Sequence, residues 1–64
     1  MSKAAEYLRL VNEISKSLED KKEFLSEPEA VLKSIKIEFK DKLATLDEKY
    51  YNKAIIYINT QLGL

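Results

Sequence analysis

Apolar residues recur every three or four positions along almost the whole chain, and a single proline cuts the run in two. On the N-terminal side Ala4, Tyr7, Val11, Ile14, Leu18 and Leu25 follow that spacing, with Lys21 as the one break. Residues so spaced line one side of a helix. Leu8, Leu10 and Phe24 widen the stripe beyond a coiled-coil seam, as a bundle helix requires. One helix is predicted over residues 2–25. Lys16 with Asp20, and Glu19 with Lys22, are spaced for attraction along its wet face.

Ser26-Glu27-Pro28-Glu29 is a stop and a restart. Ser26 with Glu29 three residues on is a capping-box pattern. Proline is tolerated in a first helical turn because its missing amide hydrogen would be unpaired there anyway. Acidic residues in that turn complement the helix dipole. A second helix is predicted from Glu27 to about residue 46, carrying Val31, Leu32, Ile35, Phe39, Leu43 and Leu46 on one stripe. Within it Ile35-Lys36-Ile37-Glu38-Phe39 alternates with a strand period. A lone strand has no partner in the chain, so a helix is expected, broken between Ile35 and Asp41. Thr45-Leu46-Asp47-Glu48 is a second capping-box pattern, with Thr45 as the cap. A third helix is predicted over residues 46–61, with Tyr51, Ile55, Ile58 and Leu62 inward and Gly63 as its stop.

The predicted fold is all-α: a small two- or three-helix bundle, a helical hairpin followed by a C-terminal helix or tail. Residues 1–64 form one domain, with 1–46 as a helical binding region and 47–64 as a C-terminal helix or core peptide. A chain of 64 residues buries only about 60% of the surface its unfolded form exposes. Small domains of this kind usually add a disulfide, a metal or a partner. The sequence has no cysteine and no histidine. That removes disulfides, thiolate metal sites and the commonest general base, and leaves helix packing or association with another chain.

Eleven basic and eleven acidic residues cancel. Nucleic-acid binders draw most of their affinity from a positive excess, so nucleic acid is not an expected partner. No apolar run approaches the ~20 residues of a membrane helix, and the N-terminus lacks the apolar stretch of a signal peptide. A cytoplasmic location, without membrane attachment, is the expectation.

Catalysis is not expected, and neither is a cofactor or a metal. Glu19, Asp20 and Glu23 form a carboxylate cluster, but Lys16, Lys21 and Lys22 are interleaved with it, as on a solvated mixed-charge face. A helix start accounts for Asp47 and Glu48. No serine or threonine has a histidine to activate it. The only glycine is Gly63, so there is no Gly-rich phosphate loop. Tyr50, Tyr51 and Tyr57 could stack nucleobases, but aromatics at helical spacing with neutral net charge fit a core or an interface better.

Phe24-Leu25-Ser26-Glu27-Pro28-Glu29-Ala30-Val31-Leu32-Lys33 resembles the leader region of ribosomally made, post-translationally modified peptide precursors related to nitrile hydratase. Pro28, Leu32, Lys33 and Ile37 match that pattern; Glu27 replaces its asparagine or aspartate and Lys36 its glycine. Leu18-Glu19-Asp20 followed by Pro28-Glu29-Ala30-Val31-Leu32 also looks like the helical binding domain of borosin precursors. The resemblance implies a helical module docked by a modifying enzyme, such as a backbone N-methyltransferase, with a C-terminal core peptide as substrate. Ala54, Ile55, Ile56, Tyr57 and Ile58 would be the modified segment. Backbone methylation needs no cysteine, whereas thioether and thiazole chemistry does.

Two functions follow. The sharper is a modified-peptide precursor. The broader is a small helical adaptor or regulatory protein that acts through protein–protein contacts or homodimerisation. Both place the partner on Phe24, Leu25, Val31 and Leu32, and on the apolar excess of Tyr50, Ile56 and Tyr57.

Overall fold

The computed structural model describes residues 2–64 and contains four helices: α1 (Lys3–Phe24), α2 (Pro28–Glu38), α3 (Lys40–Ala44) and α4 (Glu48–Leu62). The fold is all-α, as the apolar periodicity requires. α1, α2 and α4 each pack against the other two. Lys21 of α1 meets Glu38 at the end of α2, and Glu13 meets Lys42 in α3, so α2 and α3 together run back along α1. α4 then runs parallel to α1. Lys3 meets Asp47 at one end, Tyr7 stacks on Tyr50 one turn further on, and Lys22 reaches Gln61 at the other end.

The core is a single column of Leu10, Ile14, Leu18, Val31, Ile35, Phe39, Leu43, Ala54 and Ile58. Among the described residues no polar or charged side chain is buried. Tyr7, Leu32, Leu46, Ile55, Tyr57 and Leu62 close the column at its edges. Stripe assignments change on α1 and α4; Ala4 and Leu25, expected on the inner stripe of α1, are exposed. Tyr51 is 39% exposed and Ala54, at 0%, takes its place inside. Leu8 and Phe24, which seemed to broaden the inner stripe of α1, face solvent at 63% and 81%.

The helix ends follow different rules from those the capping patterns suggested. Ser2 caps α1, its Oγ accepting the Ala5 amide at 3.1 Å. Ser26 does not cap α2. Its N-cap is Glu27, with extended backbone and no side-chain cap bond. Pro28 is the cause: it occupies the first helical position and drives the preceding residue out of the helical region, leaving Ser26 one residue too early. Thr45 does not cap α4 either. It closes α3, its Oγ1 donating to the Lys42 carbonyl at 2.7 Å. α4 starts at Glu48 behind Asp47, whose carboxylate binds Lys3 instead of a helix amide.

The expected break falls at Phe39, where the backbone leaves helical geometry (φ −104°, ψ 17°) between α2 and α3. Val31, Ile35, Phe39 and Leu43 are each four residues apart, and on a regular helix every such step drifts about 40° round the axis. All four are buried; the distortion lies in the middle of the run, where that drift must be absorbed. Gly63 ends α4 with φ +73°. Its amide donates to Thr60, and that of Leu64 to Asn59, the paired bonds of a Schellman motif.

Candidate functional site

Polar contacts tie the helices together: Lys3 with Asp47, Ser17 and Lys21 with Glu38, Lys42 with Glu13, and Lys22 with the Gln61 carbonyl. The closest to a chemical constellation is Ser17, Lys21 and Glu38. Lys21 Nζ lies 2.7 Å from Glu38 Oε1. Ser17 Oγ donates to the same oxygen at 2.6 Å and accepts from Lys21 Nζ at 3.2 Å. A serine beside a lysine can be a nucleophile with its base, but only if the amine is neutral and free to take the hydroxyl proton. Here the ammonium is paired and the hydroxyl hydrogen points at a carboxylate. The Lys21 and Ser17 hydrogen bonds hold the Glu38 carboxyl below its ordinary range, which makes it a weak base. The network pins α1 to α2. Nothing in the sequence marked it, because Ser17 and Lys21 are neighbours only on a helix and Glu38 comes from another element. The within-helix pairs expected at Lys16–Asp20 and Glu19–Lys22 are not ion-paired; Lys3–Asp47, Lys21–Glu38 and Glu13–Lys42 each join separate elements.

A groove of about 550 Å³ runs between Glu6, Arg9, Leu10 and Glu13 of α1 and Lys42 and Leu46. The Glu13–Lys42 ion pair at 2.9 Å spans it. Among the described residues no group of three or more acidic side chains is placed to hold a metal ion. None of their helices is long and apolar enough to cross a membrane.

The residues expected to meet a partner are dispersed. Val31 is core, 2% exposed, because the α2 stripe turns it toward α1 and α4. Leu32 and Tyr57 pack half-buried against that core. Tyr50 is occupied: its ring lies 5.1 Å from that of Tyr7, with Lys49 and Lys53 each 5.8 Å from its centre. Ile56 is 63% exposed on the outer side of α4, opposite Ala54 and Ile58. Of the segment assigned to modification, Ala54 and Ile58 are sealed in the core, and residues 54–58 lie within the helix.

Phe24 and Leu25 remain. They sit where α1 ends, α2 begins and α4 ends, the junction that Lys22 Nζ fastens by donating to the Gln61 carbonyl at 3.0 Å. A cleft of about 330 Å³ opens there between Leu25, Pro28 and Leu62, with Val31 at its base. Leu64, 54% exposed, lies just past the turn at Gly63. This end of the bundle therefore gathers more exposed apolar side chain than its flanks, where Leu8, Ile37 and Ile56 stand singly on different helices. Leu64 was missed in the sequence, where it is only the residue after a helix stop. Comparison with protein-family models, curated proteins and solved structures finds no match for this chain.

Proposed function

We propose that this chain is a non-enzymatic helical binding protein that acts through protein–protein contacts, with the end of the bundle around Phe24 as its docking surface. The observation that carries it is Phe24 itself. It is an aromatic side chain 81% exposed, next in sequence to Leu25, which lines a cleft with Pro28, Val31 and Leu62, in a protein whose core closes without it. Aromatic anchors next to pockets are the usual centres of binding energy. The partner called for is a cytoplasmic protein. Self-association through Tyr50, Ile56 and Tyr57 has less to work with, since of these only Ile56 is largely exposed.

The packing of α4 favours this role over that of a modified-peptide precursor. Modification of successive backbone amides requires an extended, accessible segment, and α4 would have to leave the core to supply one. A photo-crosslinking residue at position 24, compared with one at position 56, tests the proposal in the native host. A discrete protein adduct at 24 and none at 56 is expected. No adduct at either position removes the binding role. Intact mass of the protein from the same cells gives the competing outcome, since increments of a methyl group would assign it to the precursor class.

A further inference from the structure

A second cleft, of about 250 Å³, opens in the other half of the bundle, where α2 and α3 meet the first turn of α4. It is lined by Lys36, Lys40, Leu43, Ala44 and Tyr51. Leu43 joins it to the core, and Tyr51 is left half open to solvent. Lys36 and Lys40 are exposed and one helical turn apart. Among the described residues neither has an ion-pair partner, and no acidic side chain lines the cleft. An apolar cavity of about 150 Å³ takes up a benzene ring, so this one has room for a single aromatic side chain. Its rim calls for negative charge beside that ring.

The end of α1 has the complementary character. Phe24 stands almost wholly exposed. Asp20 is one turn back on the same face, Glu23 precedes Phe24, and Glu27 begins the step into α2; all three are exposed. None of them is in an ion pair with Lys3, Lys21 or Lys42, which take other partners. The cations of that turn are engaged, Lys21 with Glu38 and Lys22 with the Gln61 carbonyl. Phe24 cannot fill its own chain's cleft. It ends α1 beside the last turn of α4, whereas the cleft lies against the first turn of α4, in a bundle 36 Å long.

We propose that the occupant of the cleft is Phe24 of a second copy of this chain, with Asp20, Glu23 and Glu27 facing Lys36 and Lys40. The proposal rests on the reading of Phe24 as a docking residue and names its partner. The two patches are different parts of the surface, so the contact is head-to-tail. With zero net charge, copies have no overall repulsion to overcome. One ring and a few surface charge pairs make a small interface, so the association is weak and salt-sensitive.

The test is sedimentation equilibrium of the full chain up to about 1 mM, a concentration that reaches weak self-association, at low and high salt. Concentration-dependent association that weakens in salt is expected. Phe24→Ala keeps the cleft and loses the ring. Lys36→Glu with Lys40→Glu keeps the ring and reverses the rim. All three positions are exposed, so both variants should melt as the parent does. Each alone should associate at least about tenfold more weakly than the parent. An equimolar mixture should recover association as a one-to-one pair, because one variant supplies the cleft and the other the ring. A parent that stays monomeric, a variant that self-associates like the parent, or a mixture no better than its components overturns the proposal. If the parent is monomeric while the crosslink at position 24 captures a different protein, the second copy falls and the binding role stands. No adduct of either kind removes both.

Discussion

Leu18 and Ser26 stand on either side of the end of α1 and carry opposite energetic weight. Leu18 is 3% exposed in the central column. Leu18→Ala removes its contacts and leaves a void, a change that costs about 2–5 kcal/mol. A capping-box reading would assign Ser26→Ala about 1 kcal/mol. With the cap at Glu27 and Ser26 exposed, its cost should lie within about 0.5 kcal/mol of zero. Urea unfolding of both variants checks the pair, and comparable losses would mean that Ser26 holds a structural bond. The proline that defeats the cap was in plain sight, since the residue before proline is driven into extended conformation. At both Ser26 and Thr45 the four-residue pattern marked the neighbourhood of a helix start without fixing its register.

At the scale of elements, periodicity named the helices and most of their inner faces. Ile14 and Leu18 in α1, Val31, Ile35, Phe39 and Leu43 along α2 and α3, and Ile58 in α4 lie where the spacing puts them. It did not reveal which inner position on α4 carries a small residue. Tyr51, 39% exposed, lies at the margin of the inner side of α4, and the sealed position belongs to Ala54. Of the residues expected to meet a partner, Phe24 and Leu25 are exposed, while Val31 is spent on the core. α4 supplies Ala54 and Ile58 to the core, and Ile55, Tyr57 and Leu62 to its edge. A chain lacking residues 50–64 should therefore lose cooperative unfolding and most of its helical circular dichroism signal. A truncated chain that keeps a sharp thermal transition would show that α1, α2 and α3 suffice, and would restore the C-terminal segment as a dispensable tail.

At the scale of the whole molecule, acid should loosen the bundle through Glu38. Its carboxyl is held below the ordinary value by Lys21 and then Ser17. Such a group stabilises the folded state above its unfolded pKa, and that contribution is lost as pH falls below about 4.5 and through the lower folded value. Lys3, raised by its hydrogen bond and charge pairing with Asp47, acts in the opposite direction, losing its contribution only above about 10.5. Glu38 is 44% exposed, so solvent screens the pair and its worth is on the order of 0.5 kcal/mol. Glu38→Gln should be less stable than the parent near neutrality by that amount, and the gap should close in acid. A gap that persists unchanged at low pH would place the loss in packing rather than charge.

These ion pairs have a second consequence, for the handedness of the bundle. Three helices joined in series can turn either left or right, and apolar contacts, being non-directional, discriminate weakly between the two. Among the described residues no buried polar side chain distinguishes the two arrangements. The bridges Lys21–Glu38 and Glu13–Lys42 do, because Glu13 and Lys21 lie on one side of the α1 stripe. In the mirror topology the partners flanking α1 would exchange sides and these charges would no longer meet. Contacts too weak to hold the protein together can still weigh against a mirrored arrangement, in which they would be lost.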